Sequence, residues 1–428
     1  MPNLKDLKFD KPYESRECSY CGAKHEVQTK IVFGLNALKE LSKIACGFLP
    51  IGNILYITAE DLTDKSREIE RALFKTHILN IQRLPSNFKP GLQDAAKILE
   101  TAEDCKLVIS YGSGKVSDLA KYAAFIKNLP HILIMSAPSS LKFLTDVSKF
   151  YNNGLPKIYA ARFPDVLIAD LSLMSDCPKN LIADGFGKVI GCLISLIDCK
   201  VSAVLEDNFL CENVLELISD SVKNVLNIQE KLASFNLNAL EILTESVLKI
   251  SLFKQLTGRN LFGAQNDIAD ILNLIEKEEK KLDGEVIFLT FLKVLNLYGM
   301  FINSNLTPLL FPPDYIKRAE TLRNLNCNLP EILKEFNSKT GFERELYIHK
   351  LNEYKDELKK QINSAVNDCK SCNTNFRRIY SDKGYSIQNY QAFLDFKTAV
   401  YLSPAVNKDL TLLSFMSGLG YLEKVFDN

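Results

Sequence analysis

The first 175 residues alternate short apolar runs with longer amphipathic stretches, and this alternation constrains the fold more than any other feature of the chain. The apolar runs, rich in β-branched residues, are Lys30–Phe33, Asn53–Thr58, Ile78–Leu84, Leu107–Ser110, Ile132–Ser136 and Val166–Ala169. The stretches with helical periodicity between them are Asn36–Cys46, Thr63–Lys75, Leu92–Ala102 and Val116–Lys127. Strands that alternate with helices of this length are typical of βαβ units. Residues 30–175 are therefore predicted to form an α/β domain around a parallel sheet.

The second half of the chain has a different pattern. Its long apolar-periodic segments are Leu181–Val204, Val214–Phe235, Ala239–Leu256, Ile268–Leu274 and Glu285–Phe301. Because helical spacing dominates, residues 176–428 are predicted to form an all-α domain. A charged zone at about 330–390 is predicted to be a helical insertion with an apolar stripe of Ile348, Leu351, Leu358, Ile362 and Val366. Packing on its own domain is the favoured interpretation of this stripe, and a partner-binding coiled coil is the alternative.

The charge balance restricts the classes of function. The chain has 428 residues, with 52 Lys+Arg against 52 Asp+Glu, so its formal net charge is zero. This neutrality argues against nucleic-acid and anionic-membrane partners. The most apolar stretch, Val286–Ile302, is interrupted by Lys293, which favours a buried helix. No signal-peptide core is recognisable at the N-terminus, and a cytoplasmic location is expected.

Two of the cysteine spacings are those of metal ligands. Cys18-x-x-Cys21, in the N-terminal segment 1–29, is followed by His25, and Cys369-x-x-Cys372 lies far along the chain. Together the two pairs could supply four ligands to one structural zinc ion. The alternative, favoured from the sequence, is that they are coincidental pairs. The remaining cysteines are interpreted as packing residues, and Cys211 is among them.

The clearest local motif is a strand that leads directly into Gly112-Ser113-Gly114 and then into a helix that carries Lys115 and Asp118. Glycines let the backbone approach a pyrophosphate closely, and a helix N-terminus offers N–H groups and a positive dipole end. Lys115 could add positive charge. A second loop, with Ser136 and Ser139, follows the next strand and is expected at the same sheet edge. The context favours a dinucleotide site in a Rossmann-like domain.

These motifs belong to an ordered set along the chain. The set resembles the sn-glycerol-1-phosphate dehydrogenase family, within the superfamily of iron-containing alcohol dehydrogenases, glycerol dehydrogenase and 3-dehydroquinate synthase. Its pieces are Cys18-x-x-Cys-Gly-x-x-His, Ile31-Val-Phe-Gly-x-x-Ala-Leu38, Gly112-Ser-Gly-x-x-x-Asp118, Ser136-Ala-Pro-Ser139, Phe163-Pro-x-x-Leu-Ile-Ala-Asp-Leu171, Ala183-x-Gly-Phe-Gly-x-x-Ile-Gly191, Asp409-Leu-Thr-x-Leu and Leu419-Gly-Tyr-Leu-Glu423. The resemblance implies an N-terminal dinucleotide-binding domain and a helical domain that carries a metal and the substrate.

The resemblance also implies a cofactor and a substrate class. Family members use NADH or NADPH to interconvert dihydroxyacetone phosphate and sn-glycerol 1-phosphate. Gly112, Ser113, Gly114 and Asp118 match the family's pyrophosphate loop, and Ser136 and Ser139 match residues that line the cofactor. Where the family often has an Asp for the adenosine ribose, this chain has Ala59, with Glu60 adjacent as the substitute. The choice between NAD(H) and NADP(H) therefore stays open.

The family's metal ligands are all replaced. The family holds a divalent metal, usually zinc, with one Asp and two His, and the metal polarises the substrate carbonyl. The matching positions here are Lys188, Asn266 and Asp283. A protonated lysine repels a dication, so zinc is not expected at this site. Two interpretations of the new residues stay open: a salt bridge between Lys188 and Asp283 that fills the former metal pocket, or a lysine that contacts an altered substrate.

Two functions from different classes follow. The first, which is the favoured one, is an NAD(P)-dependent oxidoreductase for a small phosphorylated substrate, divergent and without the family zinc. The retained Gly-Ser-Gly loop favours dinucleotide binding under either function, and the loss of the metal ligands favours the second. The second is a catalytically silent relative that binds a dinucleotide and acts in binding, assembly or regulation. A homo-oligomer is compatible with either function.

Overall fold

The structure, a computed structural model, describes residues 4, 7–9, 17–86, 88, 90–152, 155–234, 236–275, 281–306, 315–325, 344–369, 372, 390–405 and 409–426. The chain divides into two compact units. Unit 1 comprises residues 1–152, 156–186 and 211–260, and unit 2 comprises 153–155, 187–210 and 261–428. The expected domain boundary near residue 176 therefore differs from the unit boundaries, because residues 211–260 group with the α/β part.

A six-stranded parallel sheet lies in unit 1. Its strands are β1 (Lys30–Gly34), β2 (Gly52–Ala59), β3 (His77–Leu84), β4 (Leu107–Gly112), β5 (His131–Met135) and β8 (Val166–Asp170). They are ordered β1-β8-β5-β4-β2-β3, and every neighbouring pair is parallel. The α/β fold with a parallel sheet, predicted from the alternation, is confirmed.

Both faces of this sheet are buried, which explains why its strands are continuous apolar runs. Ile54 and Ile109 belong to a core cluster on one face, and Leu55 and Val108 belong to the cluster on the other. The helices between the strands are α1 (Leu41–Phe48), α2 (Thr63–Leu73), α3 (Leu92–Thr101) and α4 (Gly114–Ile126).

A second, two-stranded sheet was not predicted. It consists of β6 (Val147–Asn152) and β7 (Leu155–Ala160). Each run is interrupted by a lysine, Lys149 or Lys157, so the apolar signal is weak, although the Asn-Gly pair at 153–154 is a hairpin signal in the sequence. Phe150, fully buried, contacts Tyr122 of α4 edge to face. The packing against α4 explains why this ribbon forms.

From Leu171 onward the described residues are mainly helical, as predicted for the second half of the chain. The helices are α5 (Leu171–Met174), α6 (Lys179–Leu205), α7 (Glu212–Asn227), α8 (Gln229–Ala233), α9 (Leu237–Ser251), α10 (Phe253–Thr257), α11 (Ala264–Ile275), α12 (Asp283–Asn303), α13 (Tyr315–Asn324), α14 (Arg344–Asp368), α15 (Tyr390–Leu402), α16 (Leu412–Gly418) and α17 (Tyr421–Phe426). Helices α7 to α10 lie in unit 1, and α11 to α17 lie in unit 2.

The charged insertion predicted at about 330–390 is only partly covered by the described residues. Its described helix, α14, contacts α12 within unit 2, and Leu351, Leu358 and Ile362 of the apolar stripe are buried. This contact agrees with packing on its own domain.

One helix of the described chain, α12, is long and apolar enough to cross a membrane. However, 67% of its most apolar window is buried inside the protein. Phe291, Val294 and Tyr298 on this helix are completely or almost completely buried. This burial matches the expectation that an apolar run interrupted by Lys293 is a buried helix.

Candidate functional site

The Gly-Ser-Gly loop connects the middle of the sheet to the start of α4. Strand β4 ends at Gly112 and α4 begins at Gly114, with Ser113 in an extended conformation at the N-cap position. A Cβ on Gly112 would lie 2.5 Å from Cβ of Val116, so a larger residue would displace the first helical turn. The tight turn leaves the start of a 13-residue helix at the carboxyl edge of the sheet. This arrangement fits the phosphates of a dinucleotide.

The loop that follows β5 lies against the Gly-Ser-Gly loop, as expected. The backbone N–H of Ser136 donates to the carbonyl of Gly112 at 3.2 Å. A Cβ on Gly114 would lie 3.1 Å from Cβ of Ser140. Ser136 and Ser139 are both buried. The structure therefore brings together these predicted cofactor residues, which lie more than 20 positions apart in the sequence.

A buried lysine that was not predicted holds this second loop. Lys121 of α4 is completely buried, and its ammonium donates to the carbonyls of Lys142 at 2.7 Å and Val147 at 2.6 Å. Burial lowers its pKa, whereas the Asp118 carboxylate, 3.2 Å away, opposes that shift. The predicted cofactor residue Asp118 is thus the counter-ion of Lys121. The spacing of three residues on one helix face was the signal that could have revealed this pair.

Lys115 and Glu60 occupy the periphery of the same sheet edge. The exposed Lys115 directs its ammonium to the carbonyl of Phe88 at 3.2 Å and lies 5.9 Å from the centroid of that ring. Glu60 is exposed and begins a short 3-10 helix directly after β2. Since β2 pairs with β4 in parallel, Glu60 follows a strand that ends at the same edge as Gly112.

The residues that the sequence matched to the family's metal ligands lie in unit 2, where three helices meet through small residues. A Cβ on Gly187 of α6 would lie 2.0 Å from the carbonyl oxygen of Gly284 on α12, so the two backbones touch. Lys188 and Asp283 are the sequence neighbours of these glycines, and both are half-buried. The Asp283 carboxylate accepts a hydrogen bond from the amide of Asn273 at 3.0 Å.

Asn266 is more exposed than Lys188 and Asp283. It is exposed at the start of α11, whereas its neighbour Gln265 is buried and donates to the Ser195 hydroxyl at 2.6 Å. Gln265 thus takes the inward position at the contact between α6 and α11.

The donor chemistry at these positions does not fit the family's zinc. Lysine offers no lone pair while protonated, and the Asn266 amide is a weak ligand beside the imidazole that it replaces. The described part of the chain does contain a cluster of His and Cys donors that are close enough to share an ion. This cluster lies in unit 1, whereas the positions matched to the family's metal ligands lie in unit 2. That cluster contains Cys18 and Cys21.

The partners of Cys18 and Cys21 differ from those that the spacing suggested. The structure places His25 and Cys211 beside them in unit 1. Cys369 and Cys372 belong to unit 2, where both are buried and the Cys372 N–H donates to the Cys369 carbonyl. Interpretation of Cys211 as a packing residue missed its place in this cluster. No local signal could have revealed it, since Cys211 stands alone in the sequence.

Comparison with known proteins gives a family model over the α/β part and relatives that match part of the chain. The family model described as iron-containing alcohol dehydrogenase matches residues 33–178. Glycerol-1-phosphate dehydrogenase [NAD(P)+] of Halalkalibacterium halodurans is 25% identical over 163 residues, which are 38% of this chain and 41% of the relative. The enzyme of the same name from Staphylothermus marinus is 27% identical over 212 residues, 49% of this chain and 59% of the relative. The chain thus spans about half the length of the curated relatives it matches.

Solved structures share the fold over most of the chain. Glycerol dehydrogenase from Schizosaccharomyces pombe superposes with a TM-score of 0.53 at 16% identity, covering 83% of this chain and 92% of that one. An archaeal halo-thermophilic alcohol dehydrogenase from a Red Sea brine pool gives a TM-score of 0.58 at 13% identity, covering 95% and 98%. Sulfoacetaldehyde reductase from Bifidobacterium kashiwanohense, in complex with NAD+, gives 0.53 at 16% identity, covering 89% and 98%. The family resemblance and the fold class predicted from the sequence motifs are confirmed.

Proposed function

We propose, from the resemblance of this chain to the glycerol-1-phosphate dehydrogenases of the iron-containing alcohol dehydrogenase superfamily, that it is an NAD(P)-dependent oxidoreductase. Its substrate would be a small phosphorylated carbonyl or alcohol of the dihydroxyacetone phosphate and glycerol phosphate class. A bound NAD(P)H would supply the hydride. We expect a cytoplasmic protein with no nucleic-acid or membrane partner.

The observation that carries this proposal is the construction of the Gly-Ser-Gly loop. Gly112 and Gly114 allow the tight turn from β4 into α4, where added Cβ atoms would meet Val116 and Ser140. The N-terminus of α4 then supplies N–H groups and a positive dipole for a pyrophosphate. Lys121 holds the neighbouring loop through two backbone carbonyls.

The residues at the family's metal positions favour a reaction without zinc. Lys188 would bring a positive charge close to the place where the family positions its metal, and such a charge can hold a substrate phosphate or polarise a carbonyl. Asp283 would balance this charge. The same replacements favour the second candidate, a catalytically silent relative that keeps the dinucleotide site for binding, assembly or regulation.

Glu60 is proposed as the residue that governs the choice of cofactor. Its carboxylate follows β2, where it would accept hydrogen bonds from ribose hydroxyls and repel the 2′-phosphate of NADP(H). We therefore expect NADH to bind more tightly than NADPH, and Glu60→Gln to narrow the difference.

The first test titrates three proteins with NADH, namely the wild type and two variants of Ser113, and monitors binding by fluorescence. Ser113→Asp places a carboxylate at the helix N-cap, where Asp is a favourable residue for folding, yet it repels a pyrophosphate. We expect the dissociation constant for NADH to rise about tenfold or more. Ser113→Asn, a neutral cap of the same size, should bind as the wild type does. Equal binding by all three would contradict a phosphate site at this loop.

The second test separates the two candidate functions. Oxidation of NADH in the presence of dihydroxyacetone phosphate is measured with and without added zinc. Turnover that zinc does not stimulate and that Lys188→Met abolishes supports the oxidoreductase. Binding of NADH without turnover supports the silent relative.

A further inference from the structure

Four side chains with metal-binding atoms come together in unit 1, and none of them is a residue assigned to the dinucleotide. They are Cys18 and Cys21, His25 and Cys211, and their donor atoms all lie within 4.8 Å of one another. His25 and Cys211 are buried, and the other two are half-buried. Residues from two distant parts of the sequence thus form one compact group.

The distances between the donors match those of a tetrahedral site. The sulfur atoms of Cys18 and Cys211 are 3.6 Å apart, and the Cys21 sulfur is 3.4 Å from Nε2 of His25. With zinc bonds of about 2.3 Å to sulfur and about 2.0–2.1 Å to nitrogen, tetrahedral geometry places two sulfurs about 3.8 Å apart and a sulfur and a nitrogen about 3.5 Å apart. Each observed distance therefore spans one edge of such a site.

The backbone around the first two cysteines forms a tight knuckle. The N–H of Gly22 donates to the Cys18 carbonyl at 2.8 Å, and the N–H of Cys18 donates to the Ala23 carbonyl at 2.9 Å. Gly22 has a φ of +68°, which favours glycine at this turn. The N–H groups of Tyr20 and Cys21 point to the Cys18 sulfur. Such donors stabilise a thiolate that binds a metal.

Contacts outside the four ligands orient them for one ion. Nδ1 of His25 lies 2.6 Å from the carbonyl oxygen of Leu256, so Nδ1 carries the proton and donates it. The lone pair of Nε2 then faces the cysteines, as in metal-binding histidines. The side-chain amide of Asn213 donates to the Cys18 sulfur at 3.2 Å. The imidazole and the thiolate are therefore both supported from behind.

We propose that Cys18, Cys21, His25 and Cys211 bind one Zn²⁺ ion in a closed, structural Cys3His site. Three thiols release their protons to solvent when the ion binds, and the imidazole binds in its neutral form. Four protein ligands leave no position for substrate, so the ion holds the fold and takes no part in hydride transfer. It ties the N-terminal segment to the residue before α7 and, through the His25 hydrogen bond, to the end of α10.

The ligand set distinguishes zinc from other occupants. A closed tetrahedral site with three thiolates and one imidazole is typical of structural zinc. A disulfide between Cys18 and Cys211 is the competing state of the same thiols. The proposal does not depend on the dehydrogenase function, because no residue is shared with the dinucleotide loop or with Lys188 and Asp283.

The test measures metal in the full chain, purified under reducing conditions from cells supplied with zinc. We expect about one zinc per chain. Cys18→Ser and Cys211→Ser should each lower the zinc content at least about tenfold, because losing one of four ligands opens the site. Cys46→Ser, which changes a half-buried cysteine of α1 outside the cluster, should retain zinc. Asp283→Ala should also retain it, which separates this site from the family's metal position.

A spectroscopic measurement on the wild type keeps the test independent of variant folding. Replacing zinc by Co²⁺ should produce the thiolate charge-transfer and ligand-field absorption of a tetrahedral cobalt site. Four outcomes would overturn the proposal. They are full zinc content in Cys211→Ser, a wild-type chain that binds neither zinc nor cobalt, a Cys18–Cys211 disulfide that persists under reducing conditions, and zinc lost from Asp283→Ala but kept by both cysteine variants.

Discussion

At the scale of single residues, the most demanding feature is the buried ammonium of Lys121. Completely buried lysines are rare because removing the charge from water is costly, and the cost is offset here by one carboxylate and several oxygen acceptors. The acceptors are the carbonyls of Lys142 and Val147 and the hydroxyl of Thr145. Lys121 therefore holds the far end of the loop that contains Ser136 and Ser139.

Lys121→Met tests this role. It removes the cation and leaves the buried Asp118 carboxylate without its counter-ion, so we expect the free energy of unfolding to fall by about 3–5 kcal/mol in urea titrations. Asp118→Asn in the same chain should recover part of that loss, with a coupling of about 1–3 kcal/mol between the two sites. Lys115→Met, on the exposed face of the same helix, should change the free energy by less than about 0.5 kcal/mol. Additive effects of the Lys121 and Asp118 variants would contradict the ion pair.

At the scale of elements, small residues determine how the helices of unit 2 meet. Gly187 and Gly191 lie one turn apart on α6, and each faces a neighbour that leaves no room for a side chain. Gly187 faces the backbone of α12, and Gly191 faces Ile287 and Gln265. The close backbone contact therefore defines the position of α6, the helix that carries Lys188.

A buried carboxylate joins three further elements of the same unit. Asp198 of α6 accepts hydrogen bonds from the N–H of Ala264 at the start of α11, the N–H of Leu412 at the start of α16 and the hydroxyl of Tyr298 on α12. Complete burial raises its pKa to about 7, while these three donors act in the opposite direction. Asp198 thereby caps two helices at once, which stabilises both N-termini.

Substitution of alanine for Gly187 tests the contact between α6 and α12. The new Cβ would overlap the Gly284 carbonyl, so the helices must separate, and we expect a loss of about 1–3 kcal/mol in the free energy of unfolding. The matched control is Gly299→Ala on α12, where a Cβ would meet only Ile362 at 3.7 Å. There the higher helix propensity of alanine should add about 0.5–1 kcal/mol. Equal effects of the two substitutions in urea unfolding would refute the close approach.

At the scale of the whole molecule, burial of a histidine makes stability depend on pH. His131 is completely buried at the start of β5, and desolvation, with the charges of Lys121 and Arg162, lowers its pKa from 6.5 to about 3. At pH values between these two pKa values, His131 takes up a proton in the unfolded chain but not in the folded chain. The contribution of His131 to stability is therefore complete above pH 6.5 and decreases as the pH falls towards 3.

His131→Gln should flatten this acid dependence. When only the unfolded state takes up one proton, the free energy of unfolding falls by about 1.4 kcal/mol for each pH unit below the unfolded pKa. The variant should lose that contribution to the slope between pH 6.5 and pH 4.5, measured from urea midpoints at each pH. His349→Gln serves as the control, because this imidazole on α14 is 71% exposed and should leave the slope unchanged. An unchanged slope in His131→Gln would show that other groups govern the acid limb.

The extent to which the sequence predicts the site follows from the range of each interaction. Gly112, Ser113 and Gly114 were recognisable because a turn, a strand end and a helix start are local features. Lys121 was not, because its acceptors lie on a loop more than 20 residues away. Asn266 was matched to a ligand position by motif alone. Its exposure could not be predicted, because it depends on which face of α11 packs against α6.

The sequence by itself determined the parallel sheet, the tight Gly-Ser-Gly turn between β4 and α4 and the helical second half. Each of these depends on residue type and short-range periodicity, which act within a strand, a turn or a helix. Only the tertiary structure decided that Cys211 joins Cys18, Cys21 and His25, and that residues 211–260 group with the α/β part. The physical reason is that a donor cluster depends on the distances between side chains, and only the folded chain brings distant residues within ligand range of one another.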